Sequence, residues 1–293
     1  MGALTLGMLL TAGSIFTHQF ESMVVRHYGK KHRKGGIFFN AMVCLFAVVY
    51  LLITDKGGFM CPNKLWVYAL TNAAVYAIGF YAGFAAFKSG SFGLTKLFTS
   101  FGILLPTFYG ILFLKEPASI YTYIALALIT FSLFLMNYQK NEDANQERIT
   151  LKWILFVLLT ILSNAAISIL GKIQTAAFGD AYTNEFLIVT YLGATVFLLI
   201  FSLSLERHSL KEIAKPAFFC GMGAGLFNAI SNLLTLFAYN YLPISFISPF
   251  KSGIGIVLGF ALARFLYKER FSALQYIGVG IGIIAVVLMS LKF

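Results

Sequence analysis

Charge and cysteine are scarce in this chain of 293 residues. Only 11% of its residues are charged and only 11 are Asp or Glu, which leaves no surface cluster of acids or histidines of the kind a membrane-embedded transferase or lipid-modifying enzyme carries. Three cysteines, Cys44, Cys61 and Cys220, are too few and too scattered for a disulfide framework or for a metal site with recognisable spacing; they read as apolar fillers. No His/Asp/Glu set has metal spacing, no glycine-rich phosphate loop follows a strand, and no nucleophile sits beside a candidate base. No enzyme, cofactor or metal is therefore expected. The chain opens without the charged n-region, short apolar stretch and small-residue cleavage site of a signal peptide, so its first apolar segment is expected to be retained.

What is present is apolar surface. Hydrophobic residues make up 59% of the chain and the mean hydropathy is +0.83, far above a soluble domain of this length. The composition is that of a membrane protein. The net charge of +11 does not point to nucleic acid, because the basic residues lie in short loops between apolar segments, where they set topology.

Ten segments are long enough to cross about 30 Å of hydrocarbon: 3–22, 37–54, 65–87, 92–113, 119–137, 152–174, 184–204, 216–239, 243–264 and 272–291. Lipid offers backbone groups no water partner, so each is expected to be a helix. The connections are short except for "NYQKNEDANQER" (137–148), polar throughout and in the middle of the chain.

Shifting the chain by 153 residues aligns its halves without gaps: Thr95 falls on Ser248, Thr99 on Ser252, Gly102 on Gly255 and Ile103 on Ile256. The loop "LKEPAS" (114–119) then falls on "YKERFS" (267–272), and beyond it Tyr123, Ile124, Leu135 and Met136 fall on Tyr276, Ile277, Leu288 and Met289. The loop matches are polar, so they are not the chance likeness of two greasy helices. Because five helices is an odd number, a second copy must enter the membrane from the opposite face. The expected architecture is an all-α integral membrane protein of ten transmembrane helices, two inverted five-helix repeats at 1–137 and 151–293 joined by a polar linker at 138–150.

Basic residues test the inversion independently. "RHYGKKHRKGG" (26–36) holds five Lys and Arg, whereas its counterpart "AAFGDAYTNE" (176–185) holds none. The face with the 1–2, 3–4, 5–6, 7–8 and 9–10 connections carries fifteen Lys or Arg against five on the other. Both termini are then expected to face outward. Only Lys96 and Lys251 remain inside spans.

The chain at this point resembles the ten-helix, EamA-type carriers of the drug/metabolite transporter superfamily. The likeness is carried by Pro106 followed by "FLKEPASIYTYIALALITFSLFLMN", and by the echo "LYKERFSALQYIGVGIGIIAVVLMS" in the second half. It implies a carrier in the cytoplasmic membrane of a prokaryote, with a central cavity between the halves exposed alternately to each side. Better-known members are drawn with cytoplasmic termini, and the charge count here departs from that.

The residues themselves offer candidates for such a cavity. Helix four carries Thr95, Thr99, Gly102 and Pro106 along one stripe, and helix nine carries Ser248, Ser252, Gly255 and Gly259; such stripes suit a cavity wall or a close helix contact. Gly278 and Gly282, four apart in helix ten, suit packing within the chain or a homodimer contact. Helix eight sets Asn228, Asn232, Thr235 and Tyr239 on one face, and polar side chains so placed must meet protein or water. Helix six adds Ser163, Asn164 and Ser168.

Lys251 is the sharpest candidate. It lies about eight residues from the nearest helix end, roughly 12 Å at 1.5 Å per residue, and no acidic residue lies within helices four or nine to pair with it. A charge at mid-span costs about 2.5 kcal/mol or more. Sugar-phosphate translocators and nucleotide-sugar transporters, distant relatives in the superfamily, place a substrate-binding lysine on their ninth helix, which this position resembles. Lys96, about four residues into helix four, either snorkels to the interface or joins the substrate site. His18 and Glu21, three apart near the expected end of helix one, either decorate the interface or couple transport to protons. Lys172, Gln174, Asp180 and Glu185 gather where helix six leaves the membrane, as a gate pair or a solvated loop.

The expected function is a secondary carrier for a small organic anion or zwitterion, a carboxylate or phosphate ester such as an amino acid or a phosphorylated metabolite, with a coupling proton or counter-substrate as its further partner. An exporter of cationic or neutral compounds is the alternative. A channel or membrane transferase is disfavoured by the inverted halves and the missing chemistry.

Overall fold

The computed structural model describes residues 2–32, 34–55, 58–89, 95, 98–137, 150–266, 268 and 271–290. The linker over 138–149, Lys96 and the repeat's Glu269 lie outside the described residues. Among those described there are ten α-helices and no strand. In chain order they are α1 (Ala3–Lys31), α2 (Gly36–Thr54), α3 (Asn63–Ser89), α4 (Leu104–Leu112), α5 (Ile120–Asn137), α6 (Leu151–Phe178), α7 (Thr183–Leu205), α8 (Leu210–Ala238), α9 (Ile244–Phe265) and α10 (Ala273–Ser290). A 3₁₀ turn, Phe101–Ile103, leads into α4.

Six helices, over 36–54, 63–89, 151–178, 183–205, 207–238 and 244–262, are each long and apolar enough to cross a membrane, and shorter apolar helices cover 98–112, 120–136 and 273–289. The chain is an integral, multi-pass membrane protein. Its surface agrees. Leu155, Leu158 and Leu162, on one stripe of α6, are 58%, 49% and 58% exposed, an apolar face that only lipid or another apolar surface satisfies.

Most boundaries fall within a few residues of where hydropathy puts them. The segment expected as one helix over 92–113 is interrupted by the 3₁₀ turn Phe101–Ile103 ahead of α4, and α8 opens six residues before 216. The first helix differs most instructively. α1 runs nine residues past its expected end at residue 22, because "MVVRHYGKK" (23–31) has no breaker before its last turn and closes with Lys30 and Lys31, cations that suit a helix C-terminus. Glu21 therefore lies in the body of α1 and is only 9% exposed.

The chain forms two compact units, each drawing on both halves of the sequence. Unit 1 comprises Met1–Phe84 and Ala166–Tyr241: α1, α2, α7 and α8, with α3 as far as Phe84 and α6 from Ala166. Its helices meet at small residues. At Gly225 of α8 an added Cβ would lie 2.5 Å from the Val43 carbonyl oxygen of α2, and at Gly193 of α7 it would lie 2.8 Å from Ala73 of α3. Hydroxyls finish the contacts: Ser231 donates to the Ser14 carbonyl at 2.8 Å, and Thr190 donates to the Ala69 carbonyl at 3.3 Å.

Unit 2 comprises Ala85–Ala165 and Leu242–Phe293. Here α5 packs on α10, where Gly278 abuts Leu135 and Met136 and Gly282 abuts Ser132. The Ser132 hydroxyl donates to the Gly278 carbonyl at 2.6 Å. Gly278 and Gly282 of α10 thus face α5 of the same chain. Trp153 Nε1 donates to Thr95 Oγ1 at 2.8 Å, giving the buried indole its partner.

Candidate functional site

The candidate residues fall into two groups, one in each unit. In unit 2 they centre on α9. Pro243, in extended backbone at ψ 149°, opens that helix, whose first N–H groups have no partner within the helix. Glu116 supplies one. Its two carboxylate oxygens accept the N–H groups of Ile244 at 3.0 Å and Ser245 at 2.9 Å, placing a negative charge at the positive end of the helix dipole. The carboxylate reaches them because residue 110 is glycine: a Cβ there would collide with Glu116 and Ile244.

From that pinned start Ser248, Lys251 and Ser252 follow on α9, all half-buried. Pro249 lacks the N–H that would close the helix bond to the Ser245 carbonyl. On the α4 side Thr99 turns its hydroxyl back onto the Thr95 carbonyl at 2.8 Å. Asn164 is exposed on α6.

In unit 1 the group forms around Glu21. Its Oε2 lies 3.0 Å from His18 Nδ1, one turn earlier on α1, and its Oε1 accepts from Asn228 Nδ2 of α8 at 2.7 Å. Asn232, the next turn of α8, donates to the Asn228 backbone carbonyl at 3.0 Å and also bonds the side chain of Tyr191 on α7. The polar face of α8 is thus spent on contacts between helices at Asn228 and Asn232. Tyr239, 6% exposed, ends that stripe, and its backbone carbonyl accepts Lys172 Nζ at 2.7 Å. Asp180 is bonded to Asn240. Of the cluster expected where helix six ends, Lys172 and Asp180 therefore have partners on the segment closing α8. Gln174 is fully buried, with its Nε2 unpartnered.

Two carboxylates had no functional expectation attached. Glu116 was visible as the Lys-Glu of a repeated loop, but its partner, the α9 start, is 128 residues away in sequence. Glu206 accepts the N–H groups of Ile37 at 3.2 Å and Phe38 at 2.9 Å, capping α2 as Glu116 caps α9. Outside the spans, burial pushes the Cys61 thiol above its usual range and the Glu185 carboxylate adds to the effect.

A chain of apolar helices with charged and amide side chains buried inside it is a multi-pass membrane protein. Residues 151–291 match the EamA-like transporter family. No curated protein matches the sequence. Among solved structures, one titled only "Crystal structure of protein" is similar over 97% of this chain and 99% of its own, at 10% identity and a TM-score of 0.71; at that identity the likeness is one of fold.

Proposed function

We propose that this protein is a ten-span secondary carrier of two inverted five-helix repeats, 1–137 and 151–293, that moves a small organic anion or zwitterion by alternating access, with Lys251 as the charge partner of a substrate carboxylate or phosphate. The observation that carries this is the setting of Lys251. It is half-buried in the body of α9, between Ser248 and Ser252, on a helix held at its start by Glu116. A cation held at such depth costs a few kcal/mol (about 2.5 or more) unless water, a counter-charge or substrate meets it. The two serine hydroxyls add donors that suit oxyanions.

Thr99 and Asn164, in the same unit as Lys251, are the further candidates for substrate contact, together with Lys96 by sequence alone. The charge asymmetry of the loops supports outward termini; the membrane we assign, the cytoplasmic membrane of a prokaryote, follows from the family likeness alone. A second reading, export of a cationic or neutral compound, draws on the buried Glu21 carboxylate.

The test is a thermal-shift screen of the purified protein against phosphorylated metabolites, amino acids and cationic drugs, since a ligand of the native state raises the melting point with its concentration. Any stabilising compound then enters a counterflow assay in proteoliposomes. Saturable counterflow of an anion or amino acid, lost in Lys251→Gln, is the expected result. Stabilisation by cations alone, or full transport by a Lys251→Gln protein that reaches the membrane, overturns it.

A further inference from the structure

We infer that Glu21 is a proton-binding site that couples the carrier to the proton gradient, with His18 handing the proton between it and the aqueous interface. This rests on the carrier function proposed above, but the site is a different one. Three observations place it. Glu21 is a carboxylate in the body of a membrane protein helix, 9% exposed, and a buried acid there is expensive enough to require a use. Its two oxygens are divided between partners of different kinds: Asn228, a neutral amide fixed on α8, and His18, a base.

The third observation is a gradient of access. The His18 side chain is 57% exposed and that of Glu21 is 12% exposed, with 3.0 Å between them. Asn228 can only donate through its NH₂ and so orients the carboxylate. Imidazole has two ring nitrogens, so it can accept a proton at one and release one from the other.

The titratable groups facing Glu21 are His18 on its own helix, Cys44 on α2, Tyr76 on α3 and Tyr191 on α7. Cys44 and Tyr76 are themselves hydrogen-bonded, and α8 faces it with the amide of Asn228. Lys211, Glu212 and Lys215, the charged residues of α8, are 13 or more residues before Asn228, roughly 20 Å away along the axis. None of these facing groups is a fixed cation. His18 is the neighbour that can pass a proton to a carboxylate oxygen. The step balances simply: a proton leaves hydronium or water on one side, adds to a Glu21 oxygen by way of His18, and returns to water on the other side. The protonated carboxyl is neutral while it is away from water.

The experiment needs no substrate. Proteoliposomes of the purified protein on a solid-supported membrane are given a pH jump, and the transient charge displacement is recorded. Wild type is expected to give a proton-driven current. Glu21→Gln should lose it, Glu21→Asp should keep it, and His18→Asn should slow its rise. Retention of the Glu21→Asp current separates a lost proton site from a lost fold. An unchanged current in Glu21→Gln, or a current produced by a sodium jump and not by a pH jump, overturns the inference. Anion counterflow without any pH-jump current in wild type also overturns it while leaving the carrier function standing; a pH-jump current without counterflow of any anion does the reverse.

Discussion

Lys115 and Lys268, 153 residues apart in the chain, both hold left-handed backbone, at φ 52° and 53°. Each stands in the short turn between two helices of unit 2, α4 to α5 and α9 to α10, and each precedes a glutamate. At the first turn the left-handed residue ends α4, and the Glu116 N–H wraps back to the Gly110 carbonyl at 3.0 Å, the usual use of such a residue past a helix C-terminus. A non-glycine residue in this region is uncommon. Its recurrence at the matched position supports descent of the two halves from one unit.

A β-branched residue tolerates that region worst. Lys115→Val and Lys268→Val are expected to destabilise the protein by about 1 to 2 kcal/mol each, whereas Lys115→Gly and Lys268→Gly should stay near wild type. Thermal melting in detergent separates the two outcomes. Equal behaviour of Val and Gly at either position would contradict the backbone assignment.

Glu116 makes the next expectation. Alanine at 116 leaves the N–H groups of Ile244 and Ser245 unpaired at a helix start, a loss of about 1 to 2 kcal/mol. Gly110→Ala should lose a similar amount by pushing the same carboxylate aside, and the double variant should cost less than the two single losses summed, because both remove one interaction. If the single losses add, the two residues act separately. Counterflow should fall in Glu116→Ala, since the helix it frees is the one bearing Lys251.

The all-helical, membrane-spanning character and most helix positions were legible in the sequence because each is a local signal: apolar length and turn residues. Lys251 could be singled out for the same reason, as a charge where hydropathy forbids one. The burial of Glu21 was not legible. Counting apolar residues ends helix one at 22, yet nothing in "MVVRHYGKK" stops a helix, so a residue expected at the interface sits buried against Asn228. That partner is 207 residues away, and no periodicity within one helix reports a contact of that kind. The same holds for Glu116 and Glu206, whose partners are backbone groups with no side-chain signature at all.

Glycines of the same composition should respond with opposite sign according to what faces them. At Gly225 a Cβ would meet the Val43 carbonyl oxygen at 2.5 Å, Phe46 at 2.8 Å and the Ala47 nitrogen at 3.0 Å. Two of these are backbone atoms that cannot step aside. Gly225→Ala is therefore expected to cost about 1 to 3 kcal/mol by forcing α2 and α8 apart. At Gly280 of α10 nothing lies within 4 Å, so Gly280→Ala should raise stability by about 0.5 to 1 kcal/mol through helix propensity alone. Melting temperatures of the two variants should bracket wild type; a fall in both would mean that the Gly280 face is not open.

Cys61 reports both chemistry and sidedness. It lies between α2 and α3, outside either helix, and its thiol is raised above the usual value first by burial and then by the Glu185 carboxylate. Because only the thiolate reacts, a raised thiol is mostly protonated at neutral pH. Maleimide labelling of a Cys44→Ser, Cys220→Ser protein should therefore be slower than that of a free thiol at pH 7.5 and should keep gaining rate as the pH rises past 9. Glu185→Gln removes the smaller of the two causes, so it should speed labelling modestly and leave most of the delay in place. With outward termini, the connection from α2 to α3 faces outside, so a membrane-impermeant maleimide should label Cys61 in intact cells. Labelling only after the cells are broken would reverse the orientation, and with it the assignment of the lysine- and arginine-rich loops to the cytoplasmic face.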